Sequence, residues 1–431
     1  MSARRRRDVL EALRRGTVPE NGLDLLAVGL DRFAPTIDDD LARVGSGAGG
    51  FKAIRGDYGS GKTFFSRWIA ERARRVGMAT SEIQISETET PLHRLETVYR
   101  RIAESLTTAS FPPSALRPVL DAWLYTLEED AAQLAPDGAD PVDALMERRL
   151  AAVATHTPVF AQALRGYRRA SAEGDVALAE GLLAWLSGQP QVAAGVKRQA
   201  GIRGELDHFG ALGFLQGLLA VLRDSGHPGL LVILDEVETL QRVRGDVRDK
   251  ALNALRQLID EVDSGRFPGL YIVMTGTPAF FDGPSGVPRL PPLAARLATD
   301  FSGNPRFDNP RAVQIRLLGF DQHHLVELGV RVRDLYAMDA AERVRRVVDD
   351  RYLTELAAAV AGPFGDRVGV APRLYLKKLV VEILDKVDLY EDFDPRRDYA
   401  LTVSDAELTD VERAARVGGA RTVGDIHLDL P

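Results

Sequence analysis

The sequence predicts an α/β fold built on a parallel sheet, with a large helical insertion and a C-terminal helical region. Three observations predict it. A strand–helix–strand pattern lies within the first hundred residues, and its crossover makes the strands parallel. A continuous apolar run at 230–234 reads as a central strand buried on both faces. Between them lies a long Ala-, Leu- and Arg-rich stretch with helical periodicity.

In chain order, residues 7–15 read as a short amphipathic helix ended by Gly16, and 21–44 carry a second apolar-periodic stretch that the glycines of 45–50 break. Residues 51–55 read as a strand. A helical pattern then runs from Thr63 through Phe64, Phe65, Trp68, Ile69 and Ala73, and 79–85 is the next strand. Residues 91–222 are mostly helical, with turn signals at 111–114, 136–138 and 187–190. Strand signals return at 229–234, 270–275 and 312–317, with a helical pattern near 248–262 and a Pro-rich loop at 283–292 between them. The chain is helical again from about 321 to 390. The last forty residues are polar and hold one short candidate strand near 399–403.

Composition narrows the chemistry. The 431 residues are 45% hydrophobic and 27% charged, enough to bury a core in two or three domains. A net charge of -7 excludes a uniformly basic coat for nucleic acid. With no cysteine there are no disulfides, thiolate nucleophiles or Cys-ligated metals, which fits a reducing compartment. The seven histidines, His93, His156, His208, His227, His323, His324 and His427, show no metal-binding spacing. No apolar run approaches the ~18–20 residues of a membrane span. After Arg4–Arg7 the chain continues amphipathic, with no apolar signal region, so a cytoplasmic location is expected.

The strongest chemical signal is Gly56-Asp57-Tyr58-Gly59-Ser60-Gly61-Lys62-Thr63, a complete GxxxxGK[ST] match between a strand and a helix. Its glycines let backbone N–H groups close on phosphate oxygens, at the positive end of a helix that begins there. Lys62 supplies a compact charge to the β- and γ-phosphates, and the Thr63 hydroxyl is a Mg²⁺ ligand. Asp57, Tyr58 and Ser60, at the variable positions, contribute mainly backbone. Lysine is scarce here, seven against 48 arginines, so its presence at 62 suits a role that a planar guanidinium does not fill. These features predict a loop that binds the phosphates of a nucleotide.

The second signal is the pair Asp235-Glu236 at the carboxyl end of the 230–234 strand, where open α/β sheets bind ligands. Asp235 holds Mg²⁺ directly or through water, and Glu236 orients and polarises the attacking water. Thr275, ending the next strand, is a candidate to hold that water or the γ-phosphate; the plainer reading of Thr275-Gly276-Thr277-Pro278 is a turn. Arginines commonly neutralise transition-state charge in such enzymes. The candidates are Arg296, Arg306, Arg311 and Arg373, each of which also reads as a surface arginine.

The combination resembles the AAA+ superfamily, particularly the ATPases similar to archaeal origin-recognition proteins and to the STAND class, and within it the ATP-binding protein of BREX phage-exclusion systems. The resemblance runs nearly end to end. It rests on an Ala-Leu-Arg-Arg-Gly opening, the 56–63 loop followed by Phe64-Phe65, Leu234-Asp235-Glu236, Thr275-Gly276-Thr277 and Ala371-Pro372-Arg373. It implies Walker A at 56–63, Walker B at Asp235 and Glu236, sensor 1 at Thr275, sensor 2 at Arg373 and a finger at Arg296. Related ATPases often have Asn at sensor 1. From Lys62 to Asp235 is 173 residues, whereas two βα units need ~60–70, so about a hundred form a helical insertion. The expected organisation is an N-terminal helical or linker segment at 1–50, an ATPase domain at 51–320 with the insertion at about 91–222, and a helical lid and tail at 321–431. The family's winged helix is not evident.

The expected function is Mg²⁺-dependent ATP binding and hydrolysis in defence against phage DNA. The expected partners are the nucleotide and either further copies of the chain or other proteins of a defence operon, with no membrane. Two alternatives stand beside it: a nucleotide-gated switch with little turnover, and an origin-recognition-like DNA loader. Basic clusters at Arg4–Arg7, Arg72/Arg74/Arg75 and Arg343/Arg345/Arg346 permit DNA contact, though such clusters also serve as solvated helix faces.

Overall fold

The computed structural model describes residues 2–134, 141–338, 340, 342–361 and 372–400. Five strands, β1 (Gly50–Arg55), β2 (Ala79–Gln84), β3 (Leu230–Asp235), β4 (Leu270–Gly276) and β5 (Gln314–Arg316), form one sheet. All neighbours are parallel, in the order β2-β3-β4-β1-β5. Every expected strand is present within two residues of its expected ends, apart from the 399–403 candidate. Of that candidate, Tyr399 and Ala400 are not in a strand, and 401–403 lie outside the described residues.

β3 and β4 are buried along their whole length, and their side chains divide with the two-residue period of a strand. Leu230, Val232, Leu234, Leu270, Ile272 and Met274 face one way, against Leu95, Tyr99, Phe214, Leu255 and Leu258. Leu231, Ile233, Tyr271 and Val273 face the other, against Ile37, Leu41, Phe65, Trp68 and Ile69. An apolar run without alternation is therefore two half-cores back to back.

Among the described residues, seven helices lie between β2 and β3, from Leu95–Ser105 to His208–Asp224. The buried aromatics of these helices, Trp123, Tyr167 and Trp185, belong to the same apolar core as one face of the sheet. Polar ties fix the stacking: Trp123 Nε1 and Arg149 both donate to Asp224, at 2.6 and 3.1 Å, and the Tyr167 hydroxyl donates to Asp121 at 2.6 Å.

A third apolar cluster lies elsewhere. Val9, Leu10 and Leu13 of helix Ala3–Arg15, with Leu26 and Val28, pack against Leu325, Leu328, Tyr375, Leu379 and Ile383 of the C-terminal helices. The stretch expected to be periodic over 21–44 is instead a 3₁₀ turn, Leu23–Leu25, then irregular chain, then helix Ala34–Gly45. Among the described residues no helix is long and apolar enough to cross a membrane.

Candidate functional site

Strand register brings the chemistry to the carboxyl edge of the sheet. Ile54 of β1 lies opposite Thr275 of β4, and Gln84 of β2 lies opposite Asp235 of β3. The chain leaving β1 turns through 56–61 and enters helix Lys62–Arg75. Gly61 caps that helix at φ +87°, a left-handed conformation that a side chain would strain. A Cβ on Gly56 would stand 2.4 Å from Ser60 Oγ and 3.0 Å from the Leu317 carbonyl, so no larger residue fits.

Lys62 is buried and folds back over the loop. Its ammonium donates to the carbonyls of Gly56 at 2.9 Å and Asp57 at 3.1 Å. Burial pushes its pKa below the usual lysine value, against the pull of Glu238, Asp235, Asp57 and Glu236. Ser60 Oγ is buried without a hydrogen-bond partner, an orphaned polar atom within the loop. Among the variable positions, the Tyr58 ring sits 5.2 Å from the Lys62 ammonium, and Asp57 is exposed. Burial, then Glu238, raises the Tyr58 phenol above its ordinary pKa.

The acids stand beside the loop. The Thr63 hydroxyl donates to Asp235 Oδ2 at 2.9 Å, and the Thr275 hydroxyl donates to Asp235 Oδ1. The Glu236 N–H shares Asp235 Oδ1 and Thr275 Oγ1, each at 3.1 Å. Thr275 is fully buried, so it orders the strand end. Glu236 is one of two non-glycine residues at positive φ among those described, at +58°. Such a conformation costs an ordinary residue about 1–2 kcal/mol. It turns the Glu236 carboxylate sideways toward β2, where Gln84 Nε2 donates to Oε2 at 2.7 Å.

Three residues of this neighbourhood were not signalled by the motifs: Gln84, Glu238 and Arg248. Glu238 lies in the 3₁₀ turn Val237–Gln241, buried, 4.0 Å from the Lys62 ammonium. Arg248 braces the end of that turn, donating to the carbonyls of Leu240, Gln241 and Val243 at 2.7–3.1 Å. Only the strand register and the fold-back of the turn bring the first two to the site. A Glu three residues beyond Asp235 was the one available signal.

The arginine candidates sit differently. Arg296, on helix Pro291–Leu297, is engaged by Asp260 and by the Pro292 carbonyl, and by no residue of the loop. Arg306 stacks near Phe307 at 5.9 Å, in a loop where Phe307 is 79% exposed. Arg311 is exposed. Arg373 is exposed at the start of helix Pro372–Lys377, next to the Gly16 turn.

The ligand chemistry fits a hard cation held with a phosphate. A hydroxyl and a carboxylate, Thr63 and Asp235, already face one another at the helix start, and Mg²⁺ takes few protein ligands. Among the described residues no group of three or more His, Cys, Asp or Glu stands close enough to hold a metal ion by itself. A comparison with curated proteins returns no match. The family model described as BREX system ATP-binding protein BrxC/D matches residues 1–403, a span that includes the loop, both acids and the C-terminal helices. With nearly the whole sequence matched, the chain belongs to the BREX system ATP-binding protein BrxC/D family.

Proposed function

We propose that this ATP-binding protein of phage exclusion holds Mg-ATP in the 56–63 loop and hydrolyses it. The observation that carries the reading is the convergence of Lys62, Thr63, Asp235, Glu236 and Thr275 at one sheet edge, with Thr63 bonded to Asp235 at 2.9 Å. The loop amides and Lys62 bind the phosphates, and Thr63 and Asp235 hold Mg²⁺. When bound, the ion neutralises charge on the β- and γ-oxygens. Glu236, turned from Gln84 toward the γ-phosphate, accepts a hydrogen bond from the attacking water. A bond forms from that water to phosphorus, and the bond to the β–γ bridging oxygen breaks as ADP leaves.

In this reading Thr275 is the sensor at the strand end, by fixing Asp235 and the Glu236 amide. Arg373 serves from a closing helical lid over 321–431. Arg296 acts as a finger only after leaving Asp260. The 91–222 insertion presents a surface to other copies or to defence proteins, and DNA is a further candidate partner. Lys62→Ala is expected to abolish nucleotide binding. Glu236→Gln is expected to bind ATP with near-normal affinity and lose turnover by about 10²-fold or more. Equilibrium binding and single-turnover phosphate release check both; unchanged activity in the two variants removes the enzyme assignment.

A further inference from the structure

Glu238 has no part in the chemistry above, yet its surroundings are unusual for an acid. It is 94% buried by position, with 6% of its surface exposed, and its Oε2 has no hydrogen-bond partner. The nearest cation is Lys62, 4.0 Å from Oε1. Burial lifts its carboxyl above the ordinary range, only partly offset by Lys62 and by a hydrogen bond from its own backbone N–H. A buried acid this poorly satisfied is costly unless it serves a second state.

We propose that Glu238 is a positioning residue that occupies Lys62 while the phosphate loop is empty and must surrender it when a triphosphate enters. The inference rests on reading 56–63 as the triphosphate site. In the state described, Lys62 is held by two loop carbonyls and by Glu238, the three groups that stand in for phosphate oxygens. Entry of the nucleotide transfers the ammonium from these partners to the β- and γ-oxygens. Two costs follow, separation of Lys62 from Glu238 and approach of a polyanion to a buried negative charge. Glu238 thereby sets the affinity below what the loop alone would give, which keeps the site exchangeable.

The test uses the full chain and the fluorescent probe methylanthraniloyl-ATP with Mg²⁺, at constant pH and salt. Glu238→Gln keeps shape and removes charge, and is expected to bind the probe about three- to tenfold tighter, with cooperative unfolding of the nucleotide-free protein retained. Glu238→Ala, a second neutral variant, shows the same direction, and Glu238→Asp, which restores the charge, returns the affinity to the parent value. Unchanged or weaker binding in a folded neutral variant overturns the proposal, and so does loss of folding in both, which assigns the residue to the fold. Lys62→Ala separates the two ideas. If that variant binds like the parent, the loop reading fails; if it is blind to the probe while Glu238→Gln equals the parent, only the role of Glu238 fails.

Discussion

Gln84 and Glu236 show what a single hydrogen bond can withhold. The Glu236 backbone is pinned by Asp235 and Thr275, so its carboxylate has limited directions to take, and Gln84 fixes one of them at 2.7 Å. A carboxylate shared with an amide is less available to orient water than a free one. Gln84→Ala is therefore expected to raise basal ATP hydrolysis by about two- to fivefold, an amide–carboxylate bond being worth about 1 kcal/mol at an exposed position. The dissociation constant should stay the same, because Gln84 touches no phosphate-binding group. Steady-state phosphate release beside equilibrium binding checks this, and a fall in rate would show that Gln84 helps Glu236. At this scale the sequence singles out Lys62 and Thr63 by their spacing in the 56–63 loop and Asp235, Glu236 and Thr275 by their places at strand ends, and the fold brings the five to one sheet edge. It does not single out Gln84, which is 152 residues from Glu236, and only the β2–β3 register brings them together.

The strands were legible for a related reason: a segment buried on both faces must be apolar throughout, and few segments of this chain are. The irregular chain before helix Ala34–Gly45 was not. Leucines and valines there keep a helical rhythm, but the backbone N–H groups of Gly22 and Leu23 are taken by Glu71, at 3.1 and 2.8 Å, and a tertiary bond to those amides overrides local periodicity. Buried charge also fixes element packing. Lys52 on β1 has 5% of its side chain exposed and pairs with Asp40 of helix Ala34–Gly45 at 3.2 Å, while its ammonium also donates to the Ala312 carbonyl at 3.1 Å. The Tyr271 hydroxyl of β4 donates to the same Asp40 oxygen at 3.1 Å. Asp40→Ala leaves Lys52 in the interior with carbonyls alone, and an expected loss of about 3 kcal/mol follows. Urea unfolding should show a lower midpoint with an unchanged slope; a loss below about 1 kcal/mol would mean that the carbonyls suffice.

Across the whole molecule, the first helix links the C-terminal helices to helix Lys62–Arg75. Arg14 pairs with Asp385 among the C-terminal helices at 2.7 Å, and Tyr336 donates to the same acid at 2.8 Å. On the other side Arg5 reaches Glu71, on helix Lys62–Arg75, at 2.7 Å, and Asp24 at 2.6 Å. Glu71 is the hub of this clasp, accepting also from Arg75 at 2.9 Å. Burial alone would raise its pKa, but the bonds from Gly22, Leu23 and Arg75 outweigh that and hold it below the ordinary glutamate value of 4.5. A carboxyl depressed in the folded state stabilises it fully above the ordinary value, and the contribution fades as pH falls through the lower folded value. Glu71→Gln keeps one acceptor oxygen and loses the charge, so it should cost about 2 kcal/mol at pH 7 and progressively less below pH 4.5. Urea unfolding of parent and variant across that range measures the difference. A cost independent of pH would mean that the clasp acts through shape alone; a cost that vanishes in acid would show that charge on one residue of helix Lys62–Arg75 holds the N-terminal segment, and through it the C-terminal helices, to the sheet core.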